Sequence, residues 1–333
     1  MTDKNVQNRP ARSSVTAHLE TCRPDSLWYV GLVTLAGAFL TGAEVSGWRL
    51  AAAWAAVTLG WLASLYGGDY FDRRLDATAK PHRPIPSGRM TPRAAFTGMV
   101  TTIVIGLALA VAVNPSNIAL VALSLVLGVS YSRFLKARGV WGNLVRGGPT
   151  ATAFLLGTMA VQTTPPLPPP HLLPIALVFW LHDSASNLVG TLCDVDSDRA
   201  GGYMTVPARY GDATALRVLH VLNAAWLVGA VAFPITAGEP ENLSAYFGFL
   251  AVSVALTVVS TAILVTSDRP ISRRTGLRAH EILVVERLVL ASGFILLAGR
   301  PLTGFALLAA TAGLTVLAQS WMRARHQPGR HSW

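Results

Sequence analysis

Long apolar segments separated by short polar connections make up most of this chain. Ten such segments recur, and about twenty apolar residues in a helix are enough to cross a bilayer. They lie near residues 27–44, 50–68, 94–113, 117–134, 141–161, 172–189, 213–233, 244–266, 282–299 and 302–320. The last two are separated only by Arg300 and Pro301, so they form either two helices or one broken, tilted unit. The pattern predicts an all-α, polytopic integral membrane bundle of nine or ten transmembrane helices.

The polar stretches at the two ends are not expected to join this bundle. Residues 1–26 show no cleavable signal peptide and are predicted to form a disordered cytosolic tail. Residues 27–320 are predicted to form a single transmembrane domain, and residues 321–333 a basic C-terminal tail.

Composition and charge placement agree with a membrane protein. Hydrophobic residues make up 52% of the chain and charged residues 13%, whereas soluble domains carry roughly 25% charge. The net charge of +10 alone would also suit a nucleic-acid-binding protein. However, the basic residues fall in alternate connections, at 69–93, 132–140, 190–212 and 267–280. This positive-inside pattern predicts a cell-membrane protein with a cytosolic N-terminus and no nucleic-acid partner.

Two clusters of aspartates follow apolar segments in these cytosolic connections. Asp69, Asp72 and Asp76 have the spacing i, i+3, i+7, and Asp194 and Asp198 the spacing i, i+4. Each spacing puts the carboxylates on one face of a helix. Carboxylates close to a bilayer need a compensating partner, and hard oxygen ligands suit Mg²⁺. Two clusters therefore suggest two Mg²⁺ ions that share one diphosphate.

A basic, proline-stiffened loop follows the first cluster and contains Lys80, Arg83 and Arg89. Metal ions combined with lysine and arginine side chains are a common means of holding and neutralising a diphosphate. The loop is therefore predicted to contact the diphosphate. The alternative is that its cations only reflect the positive-inside pattern.

Four stretches together resemble the motifs of a known family. They are Gly68-Asp-Tyr-Phe-Asp-Arg-Arg-Leu-Asp76, Lys80-Pro-His-Arg-Pro-Ile-Pro-Ser-Gly-Arg89, Tyr131-Ser-Arg-Phe-Leu-Lys136 with Gly142-Asn143, and Asp194-Val-Asp-Ser-Asp-Arg-Ala-Gly-Gly-Tyr-Met-Thr-Val-Pro207. With these motifs the chain resembles the UbiA-type intramembrane prenyltransferase superfamily. The resemblance implies helices around a central cavity and Mg²⁺-assisted ionisation of a prenyl diphosphate, followed by alkylation of an acceptor, commonly an aromatic ring.

The resemblance also implies roles for individual residues. Asp72, Asp76, Asp194 and Asp198 match the Mg²⁺-binding carboxylates. Lys136 matches a diphosphate contact, as do Arg83, Arg89 and Lys80 more loosely, and Arg23 is a weaker candidate.

One position departs from the family pattern. The first motif normally begins with Asn four residues before Asp72, and this chain has Gly68 there. Asp69 or water is expected to supply the missing ligand. The departure favours a specialised, secondary-metabolic activity.

Polar residues also lie along one helical face that begins in the sixth apolar segment. Asp183, Asn187, Asp194 and Asp198 have the spacing i, i+4, i+11, i+15 if the helix stays regular past Gly190. Ionisable groups within a membrane are functional candidates. We expect Asp183 and Asn187, with His182 beside them, to bind or deprotonate the acceptor. The alternative is that these residues form a buried polar cluster whose hydrogen bonds are all made between helices. A separate pair, Glu286 and Arg287, is predicted to form a structural ion pair near the membrane surface.

These patterns predict a Mg²⁺-dependent prenyltransferase of the EC 2.5.1 type. Its partners would be a prenyl diphosphate, membrane lipid and a small aromatic or lipid-like acceptor. Two alternatives stay open: a terpene cyclase that needs no acceptor, and a non-catalytic transporter or scaffold, which would leave both acidic clusters unexplained.

Overall fold

The structure, a computed structural model, describes residues 15–161, 167–236 and 242–326. The regular secondary structure in these ranges is helical, without a strand. The α-helices are α1 (Val15–Cys22), α2 (Tyr29–Leu40), α3 (Gly47–Phe71), α4 (Arg73–Ala79), α5 (Pro92–Val113), α6 (Asn117–Ser130), α7 (Val140–Ala160), α8 (Leu173–Cys193), α9 (Val195–Ala200), α10 (Val206–Thr236, kinked at Gly211), α11 (Leu243–Val265), α12 (Arg273–Leu297) and α13 (Pro301–His326). A π-helical turn (Tyr131–Leu135) extends α6, and a 3-10 turn (Pro170–Leu172) precedes α8.

Ten of these helices coincide with the ten predicted apolar segments. Among the described residues, seven helices are long and apolar enough to span a membrane, namely α3, α5, α6 with its π turn, α8, α10, α11 and α13. Helix α2 has only 12 residues, and the longer helices α7 and α12 are not among these seven. The prediction of an all-α, multi-pass membrane bundle is therefore confirmed, while the number of crossing helices stays a prediction.

The last two segments form two separate helices rather than one broken unit. Helix α12 ends at Leu297, and Gly299 follows with φ of 78°, a left-handed conformation that favours glycine. Pro301 then begins α13, where its fixed φ suits the first helical turn. The two helices pack against each other.

Both predicted tails differ from the structure where it describes them. Residues 15–22 form α1, with Ala17, Glu20 and Thr21 buried against the bundle. At the other end, α13 continues to His326, beyond the predicted boundary at residue 320. Residues 1–14 and 327–333 lie outside the described residues.

Four helices form the interior of the bundle, and the others pack around them. Helices α2, α7, α8 and α12 contact one another, whereas α3, α5, α6, α10, α11 and α13 pack on the outside of this group. Aromatic side chains fill the interior, with ring centroids 5.5 Å apart for Phe154 and Phe179 and 5.2 Å for Phe179 and Phe294. Tilted aromatic pairs at such distances are favourable beyond the area they bury.

Glycines allow α2 and α7 to approach closely. A Cβ at Gly157 would lie 1.9 Å from the carbonyl oxygen of Thr34, and one at Gly37 would lie 2.2 Å from that of Phe154. The approach lets the Thr34 hydroxyl donate a hydrogen bond to the carbonyl of Ala153 at 3.0 Å. Helices in lipid associate through such small-residue contacts because the hydrophobic effect does not drive them together.

We expect Gly157→Ala to destabilise the bundle by about 1–3 kcal/mol, because α2 and α7 have to separate to admit the methyl group. Thermal unfolding of the detergent-purified protein would measure the effect. Gly128→Ala on exposed α6 is the matched control, since its Cβ would meet nothing within 4 Å. Equal melting temperatures for the two variants would contradict this account of α2–α7 packing.

Candidate active site

Both aspartate clusters lie where a long helix gives way to a short one. Asp72 separates α3 from α4, and Asp194 separates α8 from α9. The two breaks lie at one end of the bundle, which we call the motif end. The helix does not stay regular along the helical face expected past Gly190, because α8 ends at Cys193 and Asp194, with φ of −120° and ψ of 17°, lies outside the helix. Asp69 and Asp76 stay on one side across the break at Asp72, since the same Arg83 nitrogen contacts both.

Direct contacts join the two clusters. The Lys80 Nζ, which follows the first cluster, lies 2.9 Å from Asp194 Oδ2. The Tyr203 hydroxyl, which follows the second, donates to Asp72 Oδ1 at 3.4 Å. The side chains of Asp72 and Asp194 are about one third exposed. Sequence positions more than one hundred residues apart thus form one site that contains two partly accessible carboxylates.

The other two aspartates of the first cluster are buried and hold Arg83. Arg83 Nη1 lies 2.7 Å from Asp76 Oδ2 and 3.4 Å from Asp69 Oδ1. Thr21 of α1 donates to Asp69 Oδ2 at 2.9 Å, and Arg23 Nη2 lies 3.7 Å from Asp69 Oδ1. Asp69 therefore fastens α1 and two arginines to α3, and its role as a replacement metal ligand stays a prediction.

The π-helical turn places Lys136 at the same site. Lys136 Nζ lies 3.7 Å from Asp72 Oδ2 and 4.0 Å from the centre of the Tyr203 ring. Such turns widen a helix locally and often occur at functional sites. Gly142 allows the start of α7 to lie close to the π-helical turn, since a Cβ at this position would lie 2.8 Å from the carbonyl oxygen of Leu135.

The two aspartates of the second cluster differ in electrostatic environment. Burial opposes ionisation of Asp194, but Lys80, Arg273 and Arg83 together hold its pKa below the usual value. Burial raises the pKa of Asp198 to about 6, although Lys136 and a hydrogen bond from Thr205 act in the opposite direction. Asp198 is thus a buried carboxylate whose negative charge the protein compensates only in part.

These groups fit Mg²⁺ bound together with a diphosphate. Within the described ranges, no three His, Cys, Asp or Glu side chains gather closely enough to hold a metal by themselves. Mg²⁺ is, however, usually held by one or two carboxylates, water and substrate phosphates rather than by a complete protein cage. Asp72, Asp194 and the incompletely compensated Asp198 provide the hard oxygen donors for that arrangement.

Arg89 is engaged elsewhere. Its Nη1 lies 2.7 Å from Glu20 Oε1 of α1, and its Nη2 donates to the carbonyl of His82 at 2.6 Å. Its Nε donates to Ser87. These contacts tie the basic loop to α1, so the structure does not bring Arg89 to the aspartates as predicted for a diphosphate ligand.

Gly68 leaves room for the side chain that the resemblance would place there. It is exposed on α3, and a Cβ at this position would meet nothing within 4 Å. The departure from the family pattern therefore does not arise from crowding.

A polar cluster lies deeper in the bundle, around the middle of α8. His182 Nε2 is 2.7 Å from Glu286 Oε2 on α12, and its Nδ1 is 3.3 Å from the Tyr29 hydroxyl on α2. Ser253 of α11 donates to the other oxygen of Glu286. All four residues are buried. The predicted candidate His182 therefore links α8 to α12 and α2, and Glu286 extends the network to α11.

Asp183 points to another part of this cluster. Thr150 of α7 donates to its Oδ2 at 3.0 Å. Arg146 Nη1 lies 3.9 Å from Oδ2, and Arg287 Nη1 lies 3.8 Å from Oδ1. The predicted ion pair between Glu286 and Arg287 is wrong, because these neighbours point to His182 and Asp183 respectively. Neighbouring residues on a helix do not face each other.

Asn187 completes the set of predicted acceptor residues. Asn143 of α7 donates to its side-chain oxygen at 3.0 Å. Asn187 thus lies one turn from Asp183 on α8 and faces the same neighbouring helix.

Several residues of the site were not predicted from the sequence. Tyr203 and Thr205 lie within the second motif, which is the signal that would have found them. Arg146 was detectable as a charge inside an apolar segment. Tyr29 gives no such signal, since a tyrosine at the start of an apolar helix is ordinary.

Comparison with known proteins identifies the fold and the family. The model described as the UbiA prenyltransferase family matches residues 30–282, more than half of the chain. The chain belongs to the UbiA prenyltransferase family. The predicted membrane prenyltransferase is therefore confirmed at the level of the family.

The curated relatives include archaeal enzymes that share one name. Digeranylgeranylglyceryl phosphate synthase of Halobacterium salinarum is 32% identical over 282 residues, which cover 81% of this chain and 97% of that protein. The synthase of the same name from Methanopyrus kandleri is 33% identical over 213 residues, which cover 64% of this chain and 76% of the relative. These names give no support to the predicted aromatic acceptor.

Solved structures share the fold at lower identity. A UbiA homologue from Archaeoglobus fulgidus bound to GPP and Mg²⁺ has a TM-score of 0.66 and 17% identity, covering 88% of this chain and 99% of that chain. An apo UbiA homologue from Aeropyrum pernix has a TM-score of 0.68 and 18% identity, covering 81% and 97%.

We expect Asp72→Asn to lower turnover at least about a hundredfold, because it removes an accessible carboxylate charge from the site where the two motifs meet. Asp198→Asn should have a similar effect, as it removes the buried charge. Initial rates of diphosphate release from purified membranes would measure both. Asp196→Asn, at an exposed position of the same motif, is the control. Near-normal rates for Asp72→Asn, with membrane insertion of the variant verified, would contradict the assignment of Asp72 as a Mg²⁺ ligand.

Proposed function

We propose that this protein transfers a prenyl group from a prenyl diphosphate to a hydroxyl of a glycerophosphate lipid. The observation that carries the proposal is the meeting of the two motifs, with Lys80 at Asp194 and Tyr203 at Asp72. The acceptor class is taken from the name shared by the relatives, since their product carries two prenyl chains on glyceryl phosphate. Such a product is formed by adding a second chain to a glyceryl phosphate that already bears one.

The diphosphate would lie between the two clusters at the motif end. Mg²⁺ held by Asp72, Asp194 and Asp198 would neutralise charge on the leaving group as a Lewis acid. Lys80 and Lys136 already lie against these carboxylates, at 2.9 Å from Asp194 and 3.7 Å from Asp72. With Mg²⁺ bound to the carboxylates, both ammonium groups would be able to contact diphosphate oxygens. The buried pair of Arg83 with Asp76 keeps the basic loop in position.

The proposed transfer exchanges one C–O bond for another. The bond between the prenyl carbon and diphosphate breaks, and the electron pair leaves with the diphosphate. The acceptor oxygen forms a new bond to the prenyl carbon, and its proton passes to the departing diphosphate. The polar cluster around His182 and Asp183 on α8 is the proposed binding region for the acceptor. Exclusion of water from the buried part of the bundle would protect the allylic cation from hydrolysis.

The decisive experiment measures diphosphate release and lipid products from purified membranes supplied with geranylgeranyl diphosphate. We expect release to require both Mg²⁺ and a single-chain prenyl glyceryl phosphate, and to stop with EDTA. Release that requires a phenolic acceptor would replace the lipid acceptor with an aromatic one. Release without any acceptor, accompanied by a hydrocarbon product, would instead identify a terpene cyclase.

We expect Asp183→Asn to impair acceptor use more than donor ionisation, because Asp183 lies in the deep cluster rather than between the two motifs. The measurement compares KM for the acceptor with KM for the prenyl diphosphate in the same preparation. If both constants change equally, Asp183 belongs to the diphosphate site or to folding.

A further inference from the structure

One arginine of the deep cluster is buried with a hydrogen-bond donor that has no acceptor, and a second, partly exposed arginine shares its aspartate. Arg287 is 4% exposed, and its Nε has no hydrogen-bond partner among the described residues. Its nearest carboxylate contact, Nη1 to Asp183 Oδ1 at 3.8 Å, is longer than a hydrogen bond. Arg146 Nη1 lies 3.9 Å from the other oxygen of Asp183. A guanidinium carries five N–H donors, so the pair has far more donors than Asp183 can accept.

Aromatic rings hold both guanidinium groups without using these donors. The guanidinium carbon of Arg146 lies 4.5 Å from the centre of the Trp61 ring, and that of Arg287 lies 5.2 Å from the Tyr29 ring. A cation over a ring face is stabilised through the ring quadrupole and keeps its N–H groups available. Trp61 adds one more donor, because its buried Nε1 also lacks a partner in the described part of the chain.

The carboxylates of this region do not pair with these donors. Two arginines share one aspartate, and the nearby Glu286 is occupied by His182 and Ser253. A buried donor without an acceptor is unfavourable, and an anion would complete it. A phosphate matches the fork geometry of two guanidinium groups.

We propose that Arg146 and Arg287 form a subsite for the phosphate of the acceptor lipid, a claim that rests on the proposed function. The donor diphosphate is a less suitable occupant. Asp183 precedes Asp194 by eleven residues, and α8 rises 1.5 Å per residue, which gives about 16 Å between the two levels. The acceptor phosphate would lie at the deeper level, with its hydroxyl directed towards the motif end.

The proposal predicts a selective loss of affinity for the phosphate-bearing acceptor. In Arg287→Gln and Arg146→Gln, KM for single-chain geranylgeranyl glyceryl phosphate should rise about tenfold or more, because charge-assisted hydrogen bonds are lost. KM for geranylgeranyl diphosphate should be nearly unchanged. The same lipid without its phosphate should be a poor acceptor that the variants use as well as the wild type does. Arg217→Gln, at an exposed arginine of α10, is the control.

Binding provides a readout that does not depend on turnover. The phosphate lipid alone should raise the melting temperature of the detergent-purified wild type but not of Arg287→Gln, whereas geranylgeranyl diphosphate with Mg²⁺ should stabilise both. If Arg287→Gln does not fold, Arg287→Lys takes its place, because it keeps the positive charge but loses the fork of guanidinium donors.

The outcomes separate the subsite from the proposed function. Turnover of the phosphate lipid with unchanged KM in the arginine variants would overturn the subsite while the function stands. Arginine-dependent binding without turnover would support the subsite and overturn the function. Equal loss of donor and acceptor binding in the variants would overturn the assignment of these arginines to the acceptor.

Discussion

The motif end of this protein depends on the compensation of carboxylate charge beside the membrane. Asp76 is buried and stable there because Arg83 lies 2.7 Å away, and Asp194 is held by Lys80 at 2.9 Å. Both cations come from the loop that follows the first motif, so neutralising the aspartates also closes the loop onto the second motif. The same contacts that compensate the carboxylates therefore also assemble the proposed diphosphate site.

The contacts around Asp69 extend this arrangement to the N-terminal part of the chain. Thr21 and Arg23 reach Asp69 from the segment before α2, and Arg89 pairs with Glu20 of α1. Helix α1 is consequently part of the site architecture rather than an independent tail. Because one buried carboxylate holds several elements together, the loss of Asp69 would disturb the site whether or not it binds metal.

The bundle separates two kinds of polar environment along α8. At the motif end, Asp194 is partly accessible and pairs with Lys80, which suits a site where a charged group binds and is released. In the interior, His182 is buried and satisfied by Glu286 and Tyr29, whereas Arg287 is buried with a donor left over. Buried polar groups with hydrogen-bond partners stabilise the packing, whereas buried donors without partners indicate where a ligand could bind.

Apolar segments, the acidic clusters and the basic loop were readable from the sequence because each depends on local spacing and composition. Family membership was readable too, since it rests on contiguous motifs. Tertiary structure alone decided that α8 breaks at Asp194, that Arg89 pairs with Glu20, and that Arg146 and Arg287 meet at Asp183. These depend on which helices become neighbours and how closely they pack, and side-chain periodicity within one segment carries no information about either.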